Sequence, residues 1–242
     1  MTSRVSAHAI AMAGRLQPTQ LELEAGSLTA LVGPNGSGKT SLLHALAAIA
    51  PATGTVKVGG LPVRGQLPAQ RQRLVGLLTA DRHIAWPISG RDLLKLGVAR
   101  ALPLGEVAEA LALEPLLDRR VDLLSSGERA RLLVARLLLA DPRLLLLDEP
   151  LANLDPYWQL IVMELLRERA RRPDRAIVLA IHDLASAVRF ADRLLLMSDG
   201  VIAWDGPAAK LQQSGEADGI FGAEWTGESW RLKPAADRQS SQ

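Results

Sequence analysis

The sequence predicts an α/β protein in which a sheet of mostly parallel strands carries an inserted lobe of helices. Short apolar runs alternate with helical segments along most of the chain, and runs such as 144–147 are typical of strands buried inside a parallel sheet. A glycine-rich stretch at 33–38 lies between a strand pattern and a helix pattern. Between about 79 and 140, leucine- and alanine-rich amphipathic helices replace this alternation, which indicates a helical insertion into the core.

The chain of 242 residues is long enough to bury one substantial core, and it contains no internal repeats. We predict a single domain, 1–242. Its predicted parts are a core at about 1–78 and 141–210, a helical subdomain at about 79–140, and a tail at 211–242. The polar end of the tail, 234–242, is expected to be disordered.

The first half of the predicted core contains strands and one helix. Residues 16–32 alternate at first and then become continuously apolar, which predicts a buried strand that runs into the glycine-rich stretch. A helical pattern follows at 41–49 and stops before Pro51. Alternation at 55–58 predicts an edge strand, and the apolar residues of 73–78 predict a further buried strand.

The second half of the core begins after the helical lobe. The run 144–147 is short and uniformly apolar, so we assign it to the centre of the parallel sheet. A helix at 157–171, a strand at 176–181, a helix at 184–191 and a strand at 193–197 are predicted to follow.

Composition excludes several classes of protein. The chain has no cysteine, which rules out disulfides, thiolate metal sites and a cysteine nucleophile. Its net charge of +2 does not indicate a basic surface for nucleic acid, and no nucleic-acid partner is expected. No apolar run is long enough to cross a bilayer, and the apolar stretch 5–14 is interrupted by Ser6 and His8, so we predict a soluble protein without a cleaved signal.

A phosphate-binding loop is the strongest motif in the sequence. Residues 33–40, GPNGSGKT, match G-x-x-x-x-G-K-[ST] between a strand and a helix, which is the context that a P-loop requires. Lys39 is expected to contact the β- and γ-phosphates of a nucleotide, and the Thr40 hydroxyl is expected to bind Mg²⁺. The alternative is a glycine-rich turn that matches by chance. The predicted phosphate-binding residues are Gly33, Pro34, Asn35, Gly36, Ser37, Gly38, Lys39, Thr40 and Ser41.

Two acids follow the apolar run 144–147, at the end of a strand where open α/β sheets bind ligands. Asp148 is placed to hold Mg²⁺ through water. Glu149 is placed to act as the general base that polarises the water attacking the γ-phosphate. The alternative is a pair of solvated acids that cap a strand, which the phosphate loop upstream makes the weaker interpretation.

Further motifs follow in a characteristic order. They are LSSGE at 124–128, the two acids, ANLD at 152–155, and His182 after the strand at 176–181. With the phosphate loop, they make nearly the whole chain resemble the nucleotide-binding subunits of ABC transporters. This resemblance implies an ABC-type P-loop NTPase, with a RecA-like core, an inserted helical subdomain and a small antiparallel β region.

The resemblance also implies roles for these motifs. The signature segment, Ser125, Ser126, Gly127 and Glu128, would close over a nucleotide held by the phosphate loop of a second copy. Asp155 would lie in the D-loop, and His182 would sense the γ-phosphate and orient the attacking water or Glu149. The sequence alone leaves two simpler possibilities open, a helix capping box formed by Ser125 and Glu128 and an ordinary core or surface histidine at position 182.

The resemblance implies cofactors, partners and a location. The cofactors would be ATP and Mg²⁺. The chain would form a homodimer with head-to-tail composite sites on transmembrane permease subunits, at the cytoplasmic face of the inner membrane. A periplasmic substrate-binding protein would be an indirect partner.

Three positions depart from the family pattern. Ala80 stands where the family usually has a glutamine, and neither Asp81 nor His83 can copy a neutral amide. Ala13 stands where an aromatic residue often stacks on adenine, with Arg15 and His8 as candidate replacements. Ser126 replaces a signature glycine.

The segments 71–78, 87–97 and 220–222 are similar to subunits that serve importers of iron–siderophore complexes, haem and cobalamin. An exporter of haem or lipid and a soluble ABC ATPase of cofactor assembly are the alternatives. Trp86 would either face a partner or pack on the helical lobe, and Trp204 is expected in the core.

Overall fold

The fold is described by a computed structural model that covers residues 5–49, 51–84, 86–96, 104–226 and 229–231. Its strands are β1 (Val5–Met12), β2 (Leu16–Leu23), β3 (Ser27–Val32), β4 (Thr53–Val58), β5 (Leu61–Pro62), β6 (Val75–Leu78), β7 (Leu144–Asp148), β8 (Ala176–Ala180), β9 (Arg193–Ser198), β10 (Val201–Pro207), β11 (Glu224–Trp225) and β12 (Trp230–Arg231). Its α-helices are α1 (Lys39–Leu46), α2 (Pro68–Leu74), α3 (Gly90–Lys95), α4 (Leu104–Ala110), α5 (Ser126–Ala140), α6 (Pro156–Ala170), α7 (Leu184–Phe190), α8 (Leu211–Ser214) and α9 (Glu216–Phe221).

The central sheet has the strand order β10-β9-β3-β8-β7-β6, and only its edge strand β10 runs antiparallel to its neighbour. Both faces are covered, so every residue of β7 and β8 is buried. Because these strands are parallel, the carboxyl ends of β3, β7 and β8 meet at one edge. This edge carries the phosphate loop and the two acids, as the α/β prediction requires.

A second, four-stranded antiparallel sheet has the order β2-β1-β4-β5. Its apolar side chains pack with α1 against one face of the central sheet, where Leu31, Leu42 and Leu146 are fully buried. The other face packs against α5, α6 and α7 in a separate apolar cluster. The helix that follows the phosphate loop is therefore held between two sheets.

The helical lobe lies between β6 and β7 in the chain. Helix α5 is its longest described element. It contacts α3 and α4, and its buried side chains include Leu132 and Leu138. Within the described residues, no helix combines the length and apolar character required to span a bilayer. The predicted disordered segment 234–242 lies outside the described residues.

Three element predictions were wrong in detail. The segment 16–32 forms two strands in different sheets, because Gly26, with φ of 86°, turns the chain between them. The strand expected at 73–78 begins only at Val75, where α2 ends after burying Leu74 on its inner side. The first strand, β1, was missed because its inward side chains include small alanines and its pairing is interrupted by a bulge.

Three arginines surround Asp141, which lies where the helical lobe ends and the core resumes. Asp141 ends α5 in the left-handed region, with φ of 47°. Its carboxylate lies 2.7 Å from Arg175 Nη2, 3.2 Å from Arg169 Nη1 and 3.4 Å from Arg172 Nη1. Burial alone would raise the pKa of Asp141, but the hydrogen bond from Arg175 and the three positive charges lower it overall.

We expect Asp141→Asn to lower the free energy of unfolding by roughly 3 kcal/mol, because it leaves half-buried guanidinium groups without their counter-charge. Since folding lowers the Asp141 pKa, its contribution is present above the unfolded-state pKa and is lost as pH falls through the folded-state value. The free energy of unfolding, measured with urea, should therefore differ between wild type and variant by a constant amount above about pH 5, and this difference should shrink below about pH 4. Asp118→Asn is the control, because Asp118 pairs with Arg91 at 82% side-chain exposure and should contribute less than about 1 kcal/mol. Equal effects of the two substitutions would contradict the assignment.

Candidate functional site

The phosphate loop joins β3 to α1 and curls around a cavity of about 300 Å³. Gly36 and Gly38 adopt left-handed φ values of 81° and 101°, which side chains other than glycine disfavour. A Cβ added to Gly38 would lie 2.9 Å from the Arg15 carbonyl oxygen, and one added to Gly33 would collide with the Met197 carbonyl. The cavity is lined by Arg15, Asn35, Gly36, Gly38, Lys39, Thr40, Ser41 and Glu149.

Lys39 crosses the inside of the loop. Its side chain is buried, and Nζ donates hydrogen bonds to the carbonyls of Gly33 at 2.8 Å and Pro34 at 2.9 Å. Burial lowers the pKa of Lys39, while the charges of Glu149 and Asp148 oppose this shift. The arrangement places a cation inside the loop and in the lining of the cavity, where a phosphate chain would lie.

Two oxygen donors meet beside this loop. Thr40 Oγ1 donates a hydrogen bond of 2.7 Å to Asp148 Oδ2, and Asp148 is buried at the carboxyl end of β7. A hydroxyl and a carboxylate are ligands that Mg²⁺ accepts, and Mg²⁺ commonly completes its shell with water and phosphate oxygens. The chemistry of these two donors therefore fits the predicted ion. Among the described residues, no three or more histidine or acidic side chains form a cluster suited to a metal.

Glu149, which lines the cavity, contacts the side chain of His182. Glu149 Oε1 lies 2.5 Å from His182 Nε2, although the residues are 33 positions apart. The Glu149 backbone has a φ of 51°, and its amide donates to the Ala180 carbonyl at 3.0 Å. Both side chains are partly exposed, so water can reach the carboxylate. The family resemblance implied that His182 orients the attacking water or Glu149, and the folded chain places these two side chains in contact.

The signature segment begins α5. Ser125 Oγ accepts from the Glu128 amide at 3.2 Å, and Glu128 Oε2 accepts from the Ser125 amide at 2.8 Å. This is the capping box that the sequence left open as an alternative. The hydrogen bond from the Ser125 backbone lowers the pKa of Glu128.

The signature and D-loop residues lie at the starts of two helices, α5 and α6. Asp155 Oδ1 caps α6 by accepting from the Trp158 amide at 3.1 Å. Ser125, Ser126, Gly127, Glu128 and Asp155 are all absent from the described lining of the cavity. One chain thus brings together the phosphate loop, Asp148, Glu149 and His182, and any nucleotide contact by the remaining predicted residues stays a prediction about a second copy.

The loop after β6 contains a residue that the sequence analysis missed. Arg82 Nη1 donates to the Ala152 carbonyl at 2.7 Å, and Arg82 Nη2 donates to the Glu149 carbonyl. Asp81 instead accepts from the His83 amide at 2.9 Å, within its own loop. Sequence reasoning considered only which residue could replace an amide at position 80, and no local pattern indicates that Arg82 folds inward.

The structure also places four other residues that the sequence analysis named. Arg15 lines the cavity, whereas His8 lies exposed on β1 and is not part of its described lining. Trp86 is 67% exposed, so it does not pack inside the helical lobe. Trp204 is half-buried against the apolar cluster that contains α6 and α7, as expected for a core position.

Comparison with known proteins identifies the family. A family profile described as "ABC transporter" matches residues 16–152. The chain is 39% identical over 219 residues to a hemin import ATP-binding protein of Streptomyces coelicolor, an alignment that spans 85% of this chain and 77% of the relative. It is 35% identical to a cobalamin import ATP-binding protein of Halobacterium salinarum, over 83% of this chain and 54% of that protein.

Solved structures show the same fold. The ATP-binding subunit of an ABC transporter superposes with a TM-score of 0.78 at 19% identity, over 91% of this chain and 95% of that structure. The cassette MJ0796, solved as a dimer bound to ADP and Pi, superposes with a TM-score of 0.73 at 22% identity, over 84% of this chain and 98% of that structure. The chain therefore belongs to the ABC transporter family, as an ATP-binding subunit that hydrolyses ATP.

Proposed function

We propose that this chain is the ATPase that powers a membrane importer, with a cargo of the iron–siderophore, haem or cobalamin type. The observation that carries the catalytic part is the Glu149–His182 pair, whose facing atoms are 2.5 Å apart and whose Glu149 lines the phosphate-loop cavity. The importer and its cargo class are supported by relatives named for hemin and cobalamin import.

The site residues divide the chemistry between them. Main-chain amides of the loop and Lys39 bind the phosphates. Glu149 accepts the proton of the attacking water as that water adds to the γ-phosphorus, while the bond from the γ-phosphorus to the bridging oxygen breaks and ADP leaves with that oxygen. His182 orients the Glu149 carboxylate through their hydrogen bond. Thr40 and Asp148 would hold Mg²⁺, which neutralises charge on the phosphate oxygens when bound.

A second copy of the chain would complete each site. The start of α5 presents main-chain amides and the Ser125 hydroxyl, a combination that favours an anion. These groups do not contribute to the described lining of their own chain's cavity. We therefore infer a head-to-tail homodimer in which Ser125 of one subunit, with its signature segment, faces the ATP held by the other.

The membrane partner would contact the loop between β6 and α3. This loop exposes Trp86, and large exposed aromatic residues are frequent anchors of interfaces. We propose that transmembrane permease subunits bind there, at the cytoplasmic face of the inner membrane. A periplasmic binding protein would then act only through those subunits, and uptake of radiolabelled haem or cobalamin by the reconstituted complex tests the cargo.

Subunit complementation tests the composite site. Lys39→Ala removes the phosphate cation, and Ser125→Asp keeps a good helix cap while placing negative charge at the proposed γ-phosphate position. We expect each variant alone to be inactive. A 1:1 mixture should recover about a quarter of the wild-type ATPase rate, because half of the dimers contain one intact site of two.

Ser125→Asn is the matched control, since it retains the cap without the charge and should keep more activity than Ser125→Asp. A mixture that is no more active than the separate variants would overturn the shared site.

A further inference from the structure

Arg82 crosses from one loop of the site to another. It lies four residues before the exposed Trp86, in the loop that follows β6, and its side chain is half-buried. Its guanidinium donates to two main-chain carbonyls, those of Glu149 and Ala152. These carbonyls are 67 and 70 positions away in the sequence.

The two carbonyls are the first and last of a turn. The Ala152 amide donates to the Glu149 carbonyl at 3.1 Å and closes the turn Glu149–Pro150–Leu151–Ala152. Glu149 itself adopts a left-handed φ of 51°, which a non-glycine residue holds only when its surroundings enforce it. A planar guanidinium that spans both ends is suited to this task, because its donors are fixed relative to one another.

The position of this turn decides where the Glu149 carboxylate points. The same backbone that Arg82 holds carries the side chain whose Oε1 lies 2.5 Å from His182 Nε2. Burial lowers the pKa of Arg82 and the charges of Glu149 and Asp148 oppose that shift, but an arginine remains protonated at any physiological pH. A guanidinium has no lone pair for a metal, so Arg82 cannot replace an amide as a Mg²⁺ ligand.

We propose that Arg82 is a positioning residue for hydrolysis, which clamps the Glu149–Ala152 turn and thereby keeps Glu149 aligned with His182. This inference rests on the proposed role of Glu149 as the general base. In this proposal the loop after β6 contacts the turn 149–152 through the side chain of Arg82. Ala80 in the same loop has no side-chain donor for such a contact.

The test compares Arg82→Ala and Arg82→Lys with a matched control. Arg71→Ala is that control, because Arg71 is also half-buried and donates to a main-chain carbonyl, that of Ala47 at 2.6 Å, away from the described cavity lining. We expect Arg82→Ala to lower kcat about tenfold or more while changing KM for ATP less than about threefold. The kcat of Arg82→Lys should lie between those of wild type and Arg82→Ala, because an ammonium cannot hold both carbonyls in a fixed plane. Arg71→Ala should retain the native kcat.

A double-mutant cycle shows whether Arg82 affects hydrolysis through Glu149 or independently of it. In single-turnover hydrolysis, Arg82→Ala should cause little further loss once Glu149→Gln is present. If Arg82→Ala does not fold, as judged by circular dichroism, the kcat and KM of Arg82→Lys decide the question in the same way.

Three results would overturn the proposal: a kcat for the Arg82 variants equal to that of Arg71→Ala, a loss confined to KM, or an undiminished further loss in the Glu149→Gln background. If Glu149→Gln alone hydrolyses ATP at the native rate, the general-base assignment itself fails and the clamp fails with it. If Glu149→Gln is inactive but Arg82→Ala is normal, only the clamp fails.

Discussion

Glu149→Gln should lower the rate of ATP turnover about a hundredfold or more without weakening ATP binding. An amide cannot accept the proton of the attacking water, but it has nearly the size of the carboxylate and can still bond to His182, which lies 2.5 Å from Oε1. Since hydrolysis would reopen the proposed dimer, the variant should accumulate as an ATP-bound dimer. Steady-state phosphate release measures turnover, and size-exclusion chromatography with ATP and Mg²⁺ detects the ATP-bound dimer.

Glu164→Gln is a suitable control for this experiment, because Glu164 is an exposed acid on α6 outside the described cavity lining. It should behave as wild type in both measurements. Native turnover by Glu149→Gln would show that another group accepts the proton.

Lys39→Ala should abolish nucleotide binding, with Kd raised about a hundredfold or more, which corresponds to about 2.7 kcal/mol. The Nζ ammonium is the buried cation inside the loop, 2.8 Å from the Gly33 carbonyl oxygen, and charge-assisted hydrogen bonds to phosphate are strong. Anisotropy of a fluorescent ATP analogue measures Kd. A melting curve checks that the loop has kept its fold.

Lys57→Ala provides the comparison, because Lys57 lies exposed on β4 and is not part of the described cavity lining. Its Kd should be that of wild type. An unchanged Kd for Lys39→Ala would mean that the loop binds phosphate through its main chain alone.

Strong local patterns predicted the elements that position the site. The four leucines at 144–147 form β7, extended by one residue to Asp148, and the glycine-rich stretch lies between β3 and α1 as expected. Such elements can be predicted because uniform apolar runs and glycine positions reflect burial and backbone conformation directly. Helix boundaries were less predictable. The helix pattern extends to residue 49, but α1 ends at Leu46, and Ala48 just beyond it has a left-handed φ of 54°.

Weak patterns failed where neighbouring elements determine the conformation. The strand β1 is rich in small residues and has a bulge, so its conformation depends on pairing with β2 and β4. Helix α2 was partly predicted as strand, because Leu74 is apolar in either interpretation and only its packing distinguishes the two.

The α/β class, the phosphate loop and the acids that end a buried strand follow from the sequence alone, because each depends on residues that are contiguous or a few positions apart. For the same reason the sequence offered the capping box at Ser125 as one interpretation of its segment. The family resemblance implied that His182 orients the attacking water or Glu149, but the hydrogen bond between the two side chains and the contact of Arg82 with the turn after β7 required the folded chain. They join residues 33 and 67 positions apart, and their geometry is set by how parallel strands and their loops stack at one edge of a sheet. No local periodicity encodes such a contact, so side chains that meet there can be identified only once the strands have been assembled.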